Sequence, residues 1–247
     1  MSIFTCDNKD EFVFDLFPNS KNSYFVDVGA GDGIYGSNTF SLEKRGWNGV
    51  CIEAHPHLSN EIKSNRHCVI DDSLVGHNNE IVEFLIQTEE AKIAGVPADK
   101  GELTMFGGFS HAWRGGSGIL SNWGKEQIEE SSKKGRVIKK ETKTLTEVLD
   151  KINCPTYIEF LDIDTEGNDY NVLLGIDWGK YRFATIMIEE KTKQVKGKLE
   201  GLGYTMEHEF SEERLYVDSK KEGLIQNVKN IQDIGYWSQR VFGGTCL

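Results

Sequence analysis

The stretch Tyr24-Phe25-Val26-Asp27-Val28-Gly29-Ala30-Gly31-Asp32-Gly33 sets a short apolar run, broken by one aspartate, directly before three alternating glycines. Phe25 to Val28 reads as a buried strand, and Gly29 permits a sharp exit where a side chain would clash. Gly31 and Gly33 leave bare backbone on which a ligand can lie. The segment from Ile34 to Lys44 is expected to begin a helix whose first N–H groups face an anion. A strand that runs through glycines toward a helix commits the chain to an α/β fold, with a nucleotide-type site beyond the strand's carboxyl end.

Two cofactors fit such a loop. Gly31-Asp32-Gly33-Ile34-Tyr35-Gly36 satisfies G-x-G-x-x-G, and Glu53 ends the next strand, so an NAD-type oxidoreductase is one reading. That register starts late, because Gly29 is the first glycine to leave the strand. Asp27, just before the turn, would also repel a pyrophosphate but suit an ammonium or a sulfonium. S-adenosylmethionine carries both cations and no phosphate.

The rest of the chain alternates in the same manner. Phe12, Val13, Leu16 and Phe17 recur at helical spacing behind the capping candidates Asn8 and Asp10. A helix is expected around Asn38 to Arg45, a strand at Gly49 to Ala54, a helix from Leu58 to Asn65 and a strand at His67 to Ile70. Ile81 to Ile86 reads as an edge strand or hairpin partner. Regular structure resumes at Arg136 to Lys143, followed by a helix from Leu145 to Lys151 and the apolar strand Tyr157 to Ile163. A helix at Asp169 to Leu174 precedes the strand Phe183 to Ile188, and a lysine-rich helix spans Thr192 to Leu202. Tyr204 to Phe210 and Arg214 to Asp218 look like a closing antiparallel pair. The expected architecture is a doubly wound, mostly parallel sheet with that pair at its end. Residues 1–218 would form one domain carrying a glycine-rich insert at about 94–124, with 219–247 as an extension.

Ligands of open α/β sheets bind beyond the carboxyl ends of the strands, and this chain places Asp27, Glu53, Asp72, Asp164 and Glu189 at such ends. For a methyl donor the roles divide: Asp27 faces the methionine ammonium, Glu53 takes both ribose hydroxyls and Asp72 accepts from the adenine amino group. Gly29, Gly31, Asn38, Ser73 and Asp162 complete the cofactor set. Methyl transfer to an alcohol needs in-line positioning and removal of a weakly acidic proton. Asp164 is assigned as the base or its orienting partner, with Glu166, Glu189 and His111 as alternatives. Asp162 and Asp164 should project to one side of their strand, and with Glu166 and Glu189 they could hold one Mg²⁺. His55 and His57 flank Pro56 and read as a loop, with no third ligand indicated.

Composition narrows the partners. A net charge of −11 across 247 residues, with no basic stripe, argues against a phosphate-backbone substrate. The five cysteines, Cys6, Cys51, Cys68, Cys154 and Cys246, have no close sequence pairing and read as reduced thiols. The first residues lack the apolar core of a signal peptide and no run is long enough to cross a bilayer, so the expected location is cytoplasmic. From Gly101 to Gly124, both included, seven glycines are interleaved with Phe106, Phe109, His111, Trp113 and Trp123, the composition of a lid or binding loop.

Taken together, the chain resembles the FkbM family of S-adenosylmethionine-dependent methyltransferases. The resemblance is carried by Phe25 to Gly33, Ser37-Asn38-Thr39, Leu42 to Glu53, Asn65-Arg66, Ser117-Gly118-Ile119, Thr144-Leu145-Thr146, and Asp162-Ile163-Asp164-Thr165-Glu166-Gly167-Asn168-Asp169 with Val172-Leu173. It departs at Gly31, His55 and Asp169, where the family often has asparagine or histidine, proline, and glutamate. The resemblance implies a class I methyltransferase that O-methylates a hydroxyl of a sugar or other small molecule, with Ser117-Gly118 covering the cofactor or the acceptor. A methyltransferase fold without activity, serving as an interaction module, is the non-enzymatic alternative.

Overall fold

A computed structural model describes residues 8–18, 22–87, 117–122 and 135–233. His111, most of the glycine-rich insert and residues 234–247 lie outside the described residues. In chain order the elements are α1 (Lys9–Leu16), β1 (Tyr24–Val28), α2 (Phe40–Lys44), β2 (Asn48–Ile52), α3 (Pro56–Asn65), β3 (Val69–Asp71), β4 (Leu74–Gly76), β5 (Ile81–Gln87) and β6 (Gly118–Ile119). A 3₁₀ turn (Leu120–Asn122) follows, then β7 (Gly135–Thr144), α4 (Leu145–Lys151), β8 (Tyr157–Ile163), α5 (Asp169–Leu174), β9 (Arg182–Ile188), α6 (Lys193–Gly201), β10 (Tyr204–Glu209), β11 (Arg214–Asp218) and α7 (Glu222–Asp233).

Seven strands form one sheet in the order β10-β11-β9-β8-β1-β2-β3, parallel except that β11 runs antiparallel to both β9 and β10. Alternate side chains of the central strands bury on opposite faces, which is why these segments read as unbroken apolar runs. Val26, Val28, Val50, Ile52, Leu161 and Ile163 pack with Leu145, Val148 and Leu149 of α4, Val172 and Leu173 of α5, and Val195 and Leu199 of α6. Phe25, Cys51, Phe160 and Met187 pack on the other face with Phe12, Val13 and Leu16 of α1, Leu42 of α2 and Ile62 of α3. The doubly wound α/β fold expected from the sequence is therefore present. Its strand order reverses between β1 and β8, the place where such sheets open a ligand crevice.

A second, four-stranded sheet, β4-β7-β5-β6, branches off after β3. The segment read as an edge or hairpin partner, Ile81 to Ile86, pairs antiparallel with β7 from beyond the insert. Leu74, Phe84, Ile86 and Ile119 give this sheet its own small apolar cluster, with Ala54 at the end of β2 packed against it. Among residues 219–247, α7 closes the second core layer through Val228 and Ile231, and Asn227 Nδ2 donates to the Leu16 carbonyl of α1.

Two local expectations are corrected. Asn8 precedes α1 in a left-handed conformation and its side chain makes no capping hydrogen bond. No helix begins at Ile34: the Asp32 carboxylate accepts from the Ile34 and Tyr35 N–H groups, and α2 starts only at Phe40. A carboxylate thus takes the N–H groups that a pyrophosphate would need, a second argument against the dinucleotide reading.

Candidate active site

A small cavity of about 50 Å³, partly open to solvent, lies beyond the carboxyl ends of β1 and β2; Gly29, Glu53, Ser73, Phe84, Gly118 and Thr165 are among its lining residues. The two sheets form its walls. Ser117, Gly118 and Ile119 line one side.

Gly29 and Gly31 both have positive φ, at 90° and 58°. At Gly29 a Cβ would stand 1.8 Å from the Asp164 carbonyl oxygen, so only glycine lets the β1 exit pass the end of β8. At Gly31 a Cβ would meet nothing within 4 Å. Gly33 also has positive φ, and a Cβ there would run into Arg66 Cγ at 2.9 Å.

Glu53 is buried at the cavity wall. Its Oε2 accepts from the Gly31 N–H at 2.9 Å and its Oε1 from the His55 N–H at 2.6 Å. Each oxygen keeps a further lone pair for a diol. Burial pushes its carboxyl up to about 7, with the two N–H donors and the Lys140 ammonium opposing and Asp27 adding to the rise. His55 is not a loop residue: its Nδ1 caps α3 by accepting from the His57 and Leu58 N–H groups.

Asp27 and Asp162 lie side by side in register on β1 and β8, both buried. Thr39 Oγ1 donates to Asp27, and Asn38 Nδ2 donates to both oxygens of Asp162. Both carboxyls are pushed upward. For Asp27 burial dominates, against Arg66 and Thr39. For Asp162 burial dominates, reinforced by Asp27 and Glu213 and opposed by Lys9 and Asn38. Two buried acids this close favour holding a proton or a cation between them. Among the described residues Asn38 Oδ1 is buried without a hydrogen-bond partner. Because Nδ2 faces carboxylates, the amide orientation is fixed and Oδ1 is an acceptor awaiting a donor.

Asp27, Asp162 and Asn38 are buried beside the cavity and are not among its lining residues. Arg66, which nothing in the sequence marked as functional, organises this buried cluster. Its guanidinium donates to the Gly33 carbonyl, Ser37 Oγ and Thr39 Oγ1, and it pairs with Glu43. The glycine loop, Ser37-Asn38-Thr39 and α3 are thereby tied to one cation.

Asp164 does not share Asp162's surroundings. It lies past the end of β8, exposed, with its N–H donated to the Val28 carbonyl. Dense protein atoms around the carboxyl, then the charges of Glu189, Asp169, Glu166 and Glu213, hold it well above the usual carboxylate range. Since its surface is open to water, the neighbouring acids carry more of that effect than burial does. Glu166 is half-buried with φ 54°, in the loop between β8 and α5. Glu189 follows β9, half-buried, its N–H donated to the Ile163 carbonyl.

The four carboxylates read as a Mg²⁺ set do not gather. Asp162 is engaged by Asn38 and Asp164 stands outside, and among the described residues no three His, Cys, Asp or Glu side chains converge as metal ligands. Asp72 is exposed, its carbonyl accepting from Lys140 Nζ, while the buried acid at that strand end is Asp71, paired with Lys151. Ser73 lines the cavity and donates its N–H to Asp71.

Two further residues went unassigned in the sequence. Asp169 accepts from the Thr165 N–H and hydroxyl and from the Glu190 N–H, stitching the loops after β8 and β9 together. Burial pushes its carboxyl up to about 6. Asn168 donates to the Val75 carbonyl and accepts from Asn122, joining the two sheets beside the cavity. Both sit inside the Asp162 to Asp169 motif, which was the available signal. Cys51 and Cys68, distant in sequence, bring their sulfurs to 3.5 Å as free thiols.

A family model for the methyltransferase FkbM domain matches residues 27–221. This chain belongs to the FkbM methyltransferase family. The match covers the whole glycine loop, both strand-tip acid groups and the second sheet, so this FkbM-family chain is a methyltransferase with the class I architecture described above. Its structure is also similar to that of precorrin-6y C5,15-methyltransferase from Geobacter metallireducens GS-15, at 11% identity and a TM-score of 0.37, over 85% of this chain and 84% of that one. That likeness bears on neither site nor substrate. No curated protein matches the sequence. Among the described residues no helix is long and apolar enough to cross a membrane.

Proposed function

We propose that this methyltransferase uses S-adenosylmethionine to O-methylate a hydroxyl of a carbohydrate or another small molecule. The observation that carries the reading is the pair of acids on either side of β1: Glu53 on the cavity wall, and Asp162 beside Asp27 with the unpartnered Asn38 Oδ1. Glu53 suits a ribose diol, because an ionised carboxylate accepts two hydroxyl hydrogen bonds. Asp27, Asp162 and Asn38 Oδ1 suit an ammonium, which offers a donor to the buried amide oxygen and a further positive charge to two buried acids. The apolar lining from Leu74, Val75, Phe84 and Ile119 suits a purine face. The residues present therefore fit the group.

When bound, S-adenosylmethionine supplies an electrophilic methyl on a sulfonium. The chain's part is to hold and orient, and to accept a proton. Asp164, whose carboxyl is pushed up by burial and by its acid neighbours, would take the acceptor's hydroxyl proton, with Glu189 and Glu166 as alternatives. A sugar or similar polyol fits an acid-lined, open rim, since its hydroxyls donate to carboxylates. The acidic balance and free thiols support a cytoplasmic protein that does not bind nucleic acid.

Isothermal titration with S-adenosylhomocysteine against NAD(H) tests the cofactor. Binding of the nicotinamide alone would overturn it. A labelled-methyl screen over glycans and nucleotide sugars, run with and without Mg²⁺, tests the acceptor class.

A further inference from the structure

Lys140 belongs to β7 of the second sheet, where it pairs with Val82 of β5. Its side chain leaves that sheet and crosses to the first. The ammonium donates to the Ala54 carbonyl at 2.6 Å and to the Asp72 carbonyl at 2.8 Å, the main-chain oxygens just past the ends of β2 and β3. Those residues flank Glu53 and Ser73, both on the cavity wall. The lysine is half-buried and its ammonium lies within the field of Asp72, Glu53 and Asp71. Burial lowers its own pKa, and these three acids oppose that fall.

A structural tie between two sheets needs only hydrogen bonds, which a neutral donor could supply. A charge drawn partly out of water is costly to desolvate and persists where other charges compensate. Here the compensating acids include the one carboxylate set to bind a diol. Glu53 faces Asp27 from β1, the Gly31 and His55 N–H groups from its flanking loops, and Lys140 from β7. The two N–H groups are fixed backbone donors and Asp27 disfavours ionisation, so Lys140 is the full positive charge in that group.

We propose that Lys140 is a positioning residue for the cofactor, fixing the strand ends around Glu53 and setting a positive charge against the Glu53 carboxylate that accepts both ribose hydroxyls. The inference rests on the cofactor reading above. It makes the second sheet an electrostatic part of the donor site. It also accounts for a lysine in a half-buried strand position whose chain neighbours Lys139 and Glu141 are exposed.

The test is the pH profile of S-adenosylhomocysteine binding, from pH 6 to pH 9, for the wild type, Lys140→Met, Lys140→Arg and Glu53→Gln. The wild-type affinity should rise with a midpoint near 7. Lys140→Met should move that midpoint up by about one pH unit, which weakens binding roughly fivefold at pH 7 and leaves it near wild type at pH 9. Lys140→Arg should keep the wild-type midpoint, and Glu53→Gln should lose the step near 7. An unchanged midpoint in Lys140→Met, or a loss equal at every pH, would leave only a structural clamp and overturn the proposal. So would a step with its midpoint near 7 that survives unchanged in Glu53→Gln, a result that stands even if Lys140→Met does not fold. Should the wild type fail to bind at any pH, the cofactor reading fails by itself. The link between Lys140 and Glu53 is then read in the unliganded protein, by carboxyl NMR titration of Glu53 in the wild type and Lys140→Met: an upward shift upholds it and an unmoved Glu53 refutes it.

Discussion

Gly29 and Asp164 meet where the sheet reverses its order: a Cβ on Gly29 would stand 1.8 Å from the Asp164 carbonyl oxygen, and Gly29 has φ 90°. The glycine thus positions the proposed base as well as the donor loop, because the β1 exit and the β8 exit lean on each other. Asp164 returns the contact through its N–H, bonded to the Val28 carbonyl.

Gly29→Ala should accordingly cost more than about 3 kcal/mol, as backbone overlap and a disfavoured φ add together. Gly31→Ala, with open space around its Cβ, should cost about 1 kcal/mol. Urea denaturation of both variants checks this, and equal losses would refute the close-approach argument.

Glu53 sets a pH dependence of stability as well as of binding. Its folded-state carboxyl, pushed up to about 7 mainly by burial, holds its proton longer than an ordinary carboxyl near 4.5. Stability from this group is fully present below about 4.5 and is lost as pH rises through about 7, by up to about 3 kcal/mol. The melting temperature of the unliganded protein should therefore fall between pH 5 and pH 8. Glu53→Leu should flatten that part of the profile, and an identical slope in the variant would contradict the assignment.

Asp164→Asn removes the proposed proton acceptor from an exposed position. Melting temperature and S-adenosylhomocysteine affinity should stay close to wild type, while turnover on an identified acceptor falls by about 100-fold or more. Full turnover would move the base to Glu189 or Glu166.

Arg66→Met strips the cation from Gly33, Ser37, Thr39 and Glu43 at once and leaves Asp27 without its compensating charge. A loss of about 3–5 kcal/mol is expected, since a buried partner is left uncompensated. Chemical denaturation measures it. A loss below about 1 kcal/mol would mean that the loop holds without this tie.

Much of this was legible because local pattern and global fold agree. The run Phe25 to Val28 and the apolar strands at β2, β8 and β9 could only be buried parallel strands, and glycine at position 29 could only be a turn. The family motifs likewise lie within single segments, so the acids Glu53 and Asp162 were visible as candidates.

What the sequence could not supply is contact between segments far apart in the chain, or the outcome of a local competition for hydrogen bonds. Asp32 takes N–H groups that a helix was expected to present, because a side chain two residues away competes with the helix for them. Asp162 and Asp164 part company because one lies within a strand, bonded to Asn38, and the other just past its end. Nothing local in the sequence marks Lys140, and only the fold of the second sheet brings its ammonium to the ends of β2 and β3. The sequence by itself determined the doubly wound sheet, the glycine turn and the acids at the strand ends, since each follows from periodicity and backbone sterics within a few residues. The tertiary structure alone decided which of those acids are buried together and which cations stand against them, because charge energies depend on distance and burial between residues that the chain separates widely.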